Sequence, residues 1–328
     1  MRRAVLHGPR DLRLEDFILD TKNLDGDEVW VETEVTALST GTDRGNYEGA
    51  EKVPGAPDYP RWVGYSNVGK VKGVAPGVTS FEIGDRVFAM QPHTSDYVAM
   101  ECEGIVRIPA TVSSESAAFT KLYHLGFHSL RHGGDLVGKS VAVVGLGVLG
   151  LLTVELARSL GAHVVAVGND PTRLAKAKEL GAELTIAFDD PGLDSEIDNF
   201  AGGQGVQIVI LAANPWPAYR VGMEILGRNG MMVVLSLPGR GESVLDFNPL
   251  ALSWICAKGV TIVSTNRNYP NPQEIRRDFD FLLERMHKRL LDPSPLITHR
   301  LPCEHIVEAY ELAYQRDKSM TGTVFQWQ

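Results

Sequence analysis

The spacing of hydrophobic residues changes at about residue 138, and the change predicts two architectures in one chain. Beyond that point, short continuous apolar runs alternate with segments whose apolar residues recur every three or four positions. The predicted strands are 141–144, 163–167, 184–187, 206–212, 231–237 and 260–264, and the predicted helices are 151–160, 172–180, 194–201 and 218–227. This alternation is typical of a doubly wound α/β domain, in which helices cover both faces of a parallel sheet.

Before about residue 125, short strands are separated by glycine and proline turns, which predicts a compact β-barrel-like domain. The clearest strand, 29–35, alternates apolar and polar residues as VWVETEV. After the second domain, a long helix (274–289) and a final strand (322–327) have no sheet of their own. We therefore expect them to return to the first domain. The predicted organisation is a first domain over 1–130, a second over 131–270 and a return over 271–328.

A Gly-x-Gly-x-x-Gly turn follows the first strand of the α/β domain, in the run VAVVGLGVLG over 141–150. Gly145 permits the tight turn, Gly147 lets the backbone approach a pyrophosphate, and Gly150 lets helix and strand pack closely. N–H groups at the helix start then face the phosphates. The predicted dinucleotide contacts are Gly145, Leu146, Gly147, Val148, Leu149 and Gly150. The alternative is a glycine-rich turn of an ordinary unit, but the strand–turn–helix–strand context favours dinucleotide binding.

The composition of the chain argues against several classes of protein. The chain has 328 residues, 44% of them hydrophobic, and a formal net charge of −9 without a basic stretch, which argues against a nucleic-acid partner. Cys102, Cys256 and Cys303 lie far apart with no metal-type spacing, which suits a reducing cytoplasm. We expect no signal peptide, because no apolar core follows the two arginines of the first residues, and the apolar run at 141–156 is too short to span a bilayer. We expect a soluble cytoplasmic protein that binds neither nucleic acid nor membrane.

Several motifs in order carry a family resemblance. They are Gly41-Thr42-Asp43, Gly64 to Val71 as GxxxxGxV, Gly84-Asp85-Arg86-Val87, the glycine turn, the Arg173-Leu174-Ala175 helix ending at Leu180-Gly181-Ala182, and Pro295-Leu296-Ile297-Thr298-His299. Together they resemble the medium-chain dehydrogenase/reductase superfamily, in its alcohol dehydrogenase-like branch, over nearly the whole chain. The resemblance implies a GroES-like catalytic domain, a Rossmann domain and an active site in the cleft between them. It also implies a homodimer formed through the Rossmann sheet edge at 260–264.

The zinc ligands of this family are replaced here. Zinc-dependent members have a cysteine just before the Gly-Thr-Asp motif and a His-Glu pair after the glycine of the next motif. This chain has Thr40, Tyr65 and Ser66 at those positions, and neutral hydroxyls do not substitute for thiolate, imidazole or carboxylate ligands. The third ligand position falls near Lys121, and the four-cysteine structural zinc loop is absent from the sequence. We expect no zinc; the open alternative is a non-standard site formed by His93, His124 and His128.

The end of the second α/β strand predicts which dinucleotide is bound. Enzymes that use NAD carry an acidic residue there for the ribose 2′-hydroxyl, and this chain has Gly168. A glycine leaves room for a 2′-phosphate, to which Asn169, Arg173 and Lys176 offer a donor and positive charge. We therefore expect NADP(H) rather than NAD(H). In the alternative interpretation, Asp170 shifts back and binds the 2′-hydroxyl.

Two further strand ends are predicted to contact the cofactor. Ala212, Ala213 and Asn214 should border the adenosine or the pyrophosphate. Ser236 and Leu237 should present backbone groups to the nicotinamide. Residues just past the last strand, Thr265, Asn266 and Arg267, are expected to close the same end.

Without a metal, protein donors must stabilise the charge that develops on the substrate oxygen. The candidate catalytic residues are Thr40, Tyr65, Lys121 and His124, and His93 is a candidate substrate contact. Tyr65 or Lys121 would donate to the oxyanion, and Thr40 would orient the substrate. Each has a structural alternative: Tyr65 fills the volume of a lost metal ligand, Lys121 is a solvated helix residue, or His124 is an interior histidine.

The sequence thus predicts a zinc-independent oxidoreductase that transfers a hydride between NADP(H) and a carbonyl/alcohol pair of a small metabolite. A reductase of carbon–carbon double bonds conjugated to a carbonyl is the second hypothesis, because an enolate needs the same donors. A non-catalytic NADP(H)-binding protein is the third.

Overall fold

A computed structural model of the chain describes residues 1–49, 58–238, 245, 247–265 and 271–328. The chain forms two compact units. The first unit consists of Met1–His124 and Tyr269–Gln328, and the second is Leu125–Asn268. Among the described residues, no helix is both long and apolar enough to span a bilayer.

The second unit is a six-stranded, all-parallel sheet with helices between successive strands. Its strands are β9 (Ser140–Val144), β10 (His163–Gly168), β11 (Leu184–Ala187), β12 (Val206–Leu211), β13 (Leu226–Val234) and β14 (Thr261–Ser264). Its helices are α4 (Val148–Ser159), α5 (Pro171–Glu179), α6 (Leu193–Phe200), α7 (Trp216–Ile225) and α8 (Leu252–Lys258). The order β11-β10-β9-β12-β13-β14 confirms the predicted doubly wound sheet.

The register of this sheet brings the carboxyl ends of its strands to one level. Val144 at the end of β9 lies opposite Val167 of β10 and Leu211 of β12, and Leu211 lies opposite Val234 of β13. The central strands are almost entirely buried, as their continuous apolar sequences predict. Because the chain reverses its direction of winding between β9 and β12, this edge is where a doubly wound sheet binds ligands.

The first unit is built on two mainly antiparallel sheets, in which the pairing of β15 with β16 is parallel. Its strands are β1 (Arg2–Leu6), β2 (Leu12–Asp16), β3 (Glu28–Leu38), β4 (Arg61–Trp62), β5 (Asn67–Val74), β6 (Arg86–Ala89), β7 (Asp96–Met100), β8 (Val106–Arg107), β15 (Ile297–Pro302) and β16 (Gly322–Gln326). The larger sheet has the order β15-β16-β3-β5-β6-β8, with β7 also pairing with β3, and the smaller has the order β2-β1-β4. Residue by residue, the burial of β3 alternates over much of its length. The antiparallel pairing of β16 with β3 places the last strand in the sheet of the first unit.

The helices associated with this unit are α1 (Thr42–Tyr47), α2 (Ser114–Ala117), α3 (Thr120–Arg131), α9 (Pro272–His287) and α10 (Ile306–Tyr314), with 3₁₀ turns at Ser294–Leu296 and Cys303–His305. The Ser113 side chain caps α2 by accepting from the Ser116 N–H. Helix α3 runs from the first unit into the second.

The pattern did not predict β1, β2, β4, α1 and β15 of the first unit, and two elements of the second unit also differ from it. Strand β13 begins at Leu226, although the polar Gly227–Gly230 stretch has the composition of a turn. Leu226 pairs with Val206 of β12 across a register shift, so tertiary pairing overrides local propensity. Helix α8 was not predicted, because it is one short segment without a buried face.

Candidate active site

The glycine turn between β9 and α4 has the geometry that its sequence predicts. Gly145 has φ +100°, and its N–H donates to the carbonyl of Val167 on β10 (2.9 Å). A Cβ at Gly150 would lie 1.9 Å from the carbonyl oxygen of Gly145. A Cβ at Gly147, by contrast, would meet no atom within 4 Å. The third glycine therefore permits the helix to approach the turn, and the second faces open space.

The start of α4 presents backbone to that space. Gly147 is the N-cap of the helix, and no side chain caps it. Leu146 and Val148 are buried, whereas Gly145, Gly147 and Leu149 are only partly buried. The first N–H groups of a helix lack intrahelical partners, so this turn fits the phosphates of a dinucleotide.

Gly168 and Asp170, the two candidates for the position that holds the ribose 2′-hydroxyl in NAD enzymes, differ in their surroundings at the end of β10. Gly168 is buried, and a Cβ there would lie 2.8 Å from Cδ1 of Leu146. The Asp170 carboxylate caps α5 instead, since its Oδ1 accepts from the N–H groups of Thr172 (2.9 Å) and Arg173 (3.2 Å). Asn169 is exposed and Arg173 is half-buried. The ammonium group of Lys176 is paired with Glu179.

The ends of β12 and β13 are joined by side-chain hydrogen bonds. Ser236 Oγ donates to the carbonyl of Ala213 (2.6 Å), and the N–H of Leu237 donates to Oδ1 of Asn214 (3.2 Å). The Leu237 N–H thus already has an acceptor within the protein. The neighbouring Ala212 donates its N–H to the carbonyl of Val144 (2.8 Å), which holds this loop at the end of β9.

The loop after β14 is only partly described. Thr265 Oγ1 is hydrogen-bonded to Ser129 Oγ, and Thr265 is buried. Asn266 and Arg267 lie outside the described residues.

In the first unit, a buried carboxylate joins the segments that carry Thr40 and Tyr65. Asp43, which is fully buried, accepts from the N–H of Ser39 (2.8 Å) and from the N–H of Gly64 (3.2 Å). The Tyr65 hydroxyl donates to Ser39 Oγ. Thr40 is half-buried in the turn between β3 and α1. Thr40 and Tyr65 thus lie on two segments that Asp43 connects.

The charge of Asp43 also affects Tyr310 of α10. Its pKa lies well above the usual range for tyrosine, first because the phenol is buried and then because of the charge of Asp43. This hydroxyl therefore stays protonated beside the carboxylate.

Lys121 and His124 lie three residues apart on α3, and the structure brings them together. Lys121 Nζ is 3.4 Å from His124 Nδ1, and His124 Nε2 is 3.1 Å from an oxygen of Asp278 on α9. Lys121 is 6% exposed and His124 is fully buried. Asp278 was not predicted, because 154 residues separate it from His124 in the sequence and no local pattern marks it.

His93 is fully buried rather than lining an open surface. Its Nδ1 is 2.7 Å from Thr36 Oγ1, and its ring makes edge contacts with Phe325 and Tyr310. Burial lowers its pKa to about 3, so the ring is neutral at physiological pH. This placement gives no support to the predicted substrate contact, which stays untested.

Comparison with known proteins identifies the family. A family model described as "Alcohol dehydrogenase GroES-like domain" matches residues 25–134, and one described as "Zinc-binding dehydrogenase" matches residues 148–284. The chain belongs to the medium-chain dehydrogenase/reductase superfamily. Within it, the chain is an oxidoreductase of the alcohol dehydrogenase type, and the family uses NAD(P).

Three relatives show how similar the chain is to other members of this superfamily in sequence and in structure. The chain is 24% identical over 347 residues to sorbitol dehydrogenase of Bacillus subtilis, covering 96% of this chain and 94% of that protein. It is 28% identical over 219 residues to L-threonine 3-dehydrogenase of Bacillus velezensis, a match that spans 66% of this chain and only 60% of that protein. Galactitol-1-phosphate dehydrogenase from Escherichia coli has the same fold, with a TM-score of 0.84, 20% identity and full coverage of both chains.

The residues at which the family resemblance predicts zinc ligands carry hydroxyl groups in this chain. Tyr65 is bound to Ser39, Thr40 is half-buried, and Ser66 is buried. Within the described ranges, no group of three or more His, Cys, Asp or Glu side chains is arranged to hold a metal ion. Of the three histidines in the alternative site, His93 contacts Thr36, His124 contacts Lys121 and Asp278, and His128 faces the ring of His132.

Proposed function

We propose that this chain is a zinc-independent oxidoreductase that transfers a hydride between NADP(H) and the carbonyl/alcohol pair of a small polar metabolite. The Tyr65–Ser39 hydrogen bond carries the proposal, because Tyr65 stands where the family resemblance places a metal ligand and its hydroxyl binds another hydroxyl instead. A phenol and two aliphatic hydroxyls do not fit zinc, which requires thiolate, imidazole or carboxylate ligands. The polyol and hydroxy-amino-acid relatives support a small alcohol as the substrate.

Protein donors then perform the task of the metal. Because Tyr65 donates its hydroxyl hydrogen to Ser39, the Ser39 hydroxyl is the member of this pair with a hydrogen left to donate. Polarised by Tyr65, Ser39 stabilises negative charge on the substrate oxygen, and the neighbouring Thr40 orients the substrate. Lys121 exchanges the proton of the alcohol hydroxyl. When bound, the nicotinamide cofactor supplies or accepts the hydride.

Two features of the second unit support NADP(H). Gly168 places no acidic side chain at the position that holds a ribose 2′-hydroxyl in NAD enzymes. Asp170 is engaged as the cap of α5, so it is not free to move toward the ribose without uncapping the helix. Asn169 and Arg173 remain as the donors for a 2′-phosphate.

The decisive experiment combines metal analysis with turnover. We expect the purified protein to oxidise at least one alcohol of a panel containing sorbitol, L-threonine and 2,3-butanediol, before and after chelator treatment. Label from NADPH deuterated at C4 should arrive on a carbinol carbon when the matching ketone is reduced. Stoichiometric zinc whose removal abolishes turnover would overturn the proposal, and label β to a carbonyl in an enone would favour double-bond reduction.

Cofactor preference is tested separately by fluorescence titration. We expect NADPH to bind at least about tenfold more tightly than NADH, which corresponds to about 1.4 kcal/mol. Asp170→Asn keeps a capping side chain and removes the charge, so NADPH affinity should stay within about twofold. Asp190→Asn is the matched control, because Asp190 also accepts a backbone N–H at the start of a helix segment (Gly192, 2.7 Å). A severe loss in Asp170→Asn alone would assign Asp170 to the cofactor.

A further inference from the structure

The contacts of Lys121 extend into a chain of three polar side chains. Lys121 Nζ faces His124 Nδ1 at 3.4 Å, and His124 Nε2 faces Asp278 at 3.1 Å. The side chain of His124 is 1% exposed and that of Asp278 is 14% exposed. The His124 ring also packs edge-on against Phe279, the neighbour of Asp278 on α9, with centroids 5.0 Å apart. Burial and packing together fix the orientation of the imidazole.

The hydrogen-bond chemistry of the three side chains determines which of them donates and which accepts. An ionised carboxylate only accepts hydrogen bonds, so the nitrogen of His124 that faces Asp278 carries the hydrogen. In a neutral imidazole the other nitrogen is then an acceptor, which suits the ammonium group of Lys121 as its donor. Lys121 thus donates to His124, and His124 donates to Asp278. An ammonium carries three N–H bonds, so Lys121 can serve His124 and a substrate oxygen at the same time.

We propose that His124 and Asp278 form a dyad that takes a proton from Lys121 and so converts it into the base for alcohol oxidation. Asp278 is a positioning residue: it fixes the tautomer of His124 and holds the charge of the imidazolium. This inference rests on the proposed role of Lys121 as the group that meets the substrate hydroxyl. It assigns a carboxylate partner to His124 that the sequence motifs did not reveal.

The proton balance closes in three steps. An N–H bond of Lys121 breaks and an N–H bond forms on His124 Nδ1, giving a neutral amine and an imidazolium paired with Asp278. The amine of Lys121 then takes the hydroxyl proton of the alcohol; a bound nicotinamide cofactor would supply the acceptor for the carbinol hydride. After the carbonyl product leaves, the Nδ1 proton of His124 passes to water, and the starting state returns with one proton released. Reduction follows the reverse order.

The kinetic test uses Asp278→Asn, which keeps an acceptor for His124 and removes the charge. With the panel alcohol that is turned over fastest, we expect kcat to fall by about tenfold or more and KM to stay within about threefold. The solvent deuterium isotope effect on kcat should rise, because proton transfer to His124 becomes slower. Asp278→Glu should recover part of kcat. Glu284→Gln on the same helix is the matched control, since Glu284 is an exposed partner of Lys288.

A spectroscopic test needs no substrate. Long-range ¹H–¹⁵N NMR of the histidine rings at neutral pH should show His124 as the neutral Nε2–H tautomer. The Nδ1–H tautomer, or an imidazolium in the resting protein, would overturn the proposal, because neither accepts a hydrogen bond from Lys121. If Asp278→Asn does not fold, His124→Gln replaces it in the kinetic test, and we expect the same loss of kcat.

The outcomes also separate this inference from the proposed function. If Lys121→Met keeps the wild-type kcat, the proposed role of Lys121 fails. If Lys121→Met is inactive while Asp278→Asn resembles Glu284→Gln in kcat and isotope effect, only the dyad is refuted.

Discussion

Two glycine-to-alanine substitutions, three residues apart, separate the structural and ligand-binding roles of the glycine turn. A Cβ at Gly150 would lie 1.9 Å from the carbonyl oxygen of Gly145, whereas ordinary carbon–oxygen contacts are about 3.3 Å or longer. In Gly150→Ala, α4 must therefore move away from the turn by more than about 1 Å. Overpacking of this kind costs about 1–3 kcal/mol, which exceeds the gain of about 0.5–1 kcal/mol from placing alanine in a helix.

Gly147→Ala adds the same methyl group where no protein atom lies within 4 Å, and the φ of −70° suits alanine. We expect the melting temperature of the cofactor-free protein to change by no more than about 1–2 °C in Gly147→Ala and to fall by several degrees in Gly150→Ala. Gly147→Ala should nevertheless weaken NADPH binding at least about tenfold, because the methyl group occupies the space through which a pyrophosphate approaches.

Thermal unfolding followed by circular dichroism and NADPH fluorescence titration measure the two effects independently. Wild-type NADPH affinity in Gly147→Ala would refute the assignment of the open space to a phosphate. A Gly150→Ala protein as stable as the wild type would refute the packing argument. Together the pair tests whether the turn is shaped for its ligand as well as for its fold.

Three further predictions concern the first unit and the assembly. Because burial lowers the pKa of His93 from 6.5 to about 3, the unfolded state binds a proton below pH 6.5 that the folded state does not. The free energy of unfolding measured in urea should therefore fall by about 2 kcal/mol between pH 7 and pH 5, and equal pH slopes in the wild type and His93→Gln would contradict this. Tyr65→Phe and Ser39→Ala should each lower kcat by about 100-fold, with the double variant no worse than either; additive losses would show that the two hydroxyls act separately. We expect a homodimer through the edge strand β14, and a monomeric mass in sedimentation at micromolar concentration would exclude it.

The parts of the fold that sequence could predict are those whose cause is local. The run from Val141 to Gly150 encodes strand, turn and helix in adjacent residues, and the structure places all three as expected. Asp278, the proposed partner of His124, could not be found in this way, because the contact between α9 and α3 brings the two residues together and no sequence spacing marks it. The burial of His93 was missed for the same reason: the loop QPHTSDY is polar in sequence, but Thr36, Phe325 and Tyr310 enclose the ring.

The hydrogen bonds of Asp43 connect the two segments that carry Thr40 and Tyr65. In zinc-dependent relatives, the residues at positions 40 and 65 would be joined through the metal. Here the Asp43 carboxylate accepts from Ser39 at one segment and Gly64 at the other, and the Tyr65–Ser39 bond adds a second connection. Hydrogen bonds to a charged group contribute about 1.5–3 kcal/mol each, so these two help to hold the segments together. Under the proposed function, a backbone fixed in this way leaves the side chains of Thr40 and Tyr65 to act as hydrogen-bond partners rather than as metal ligands.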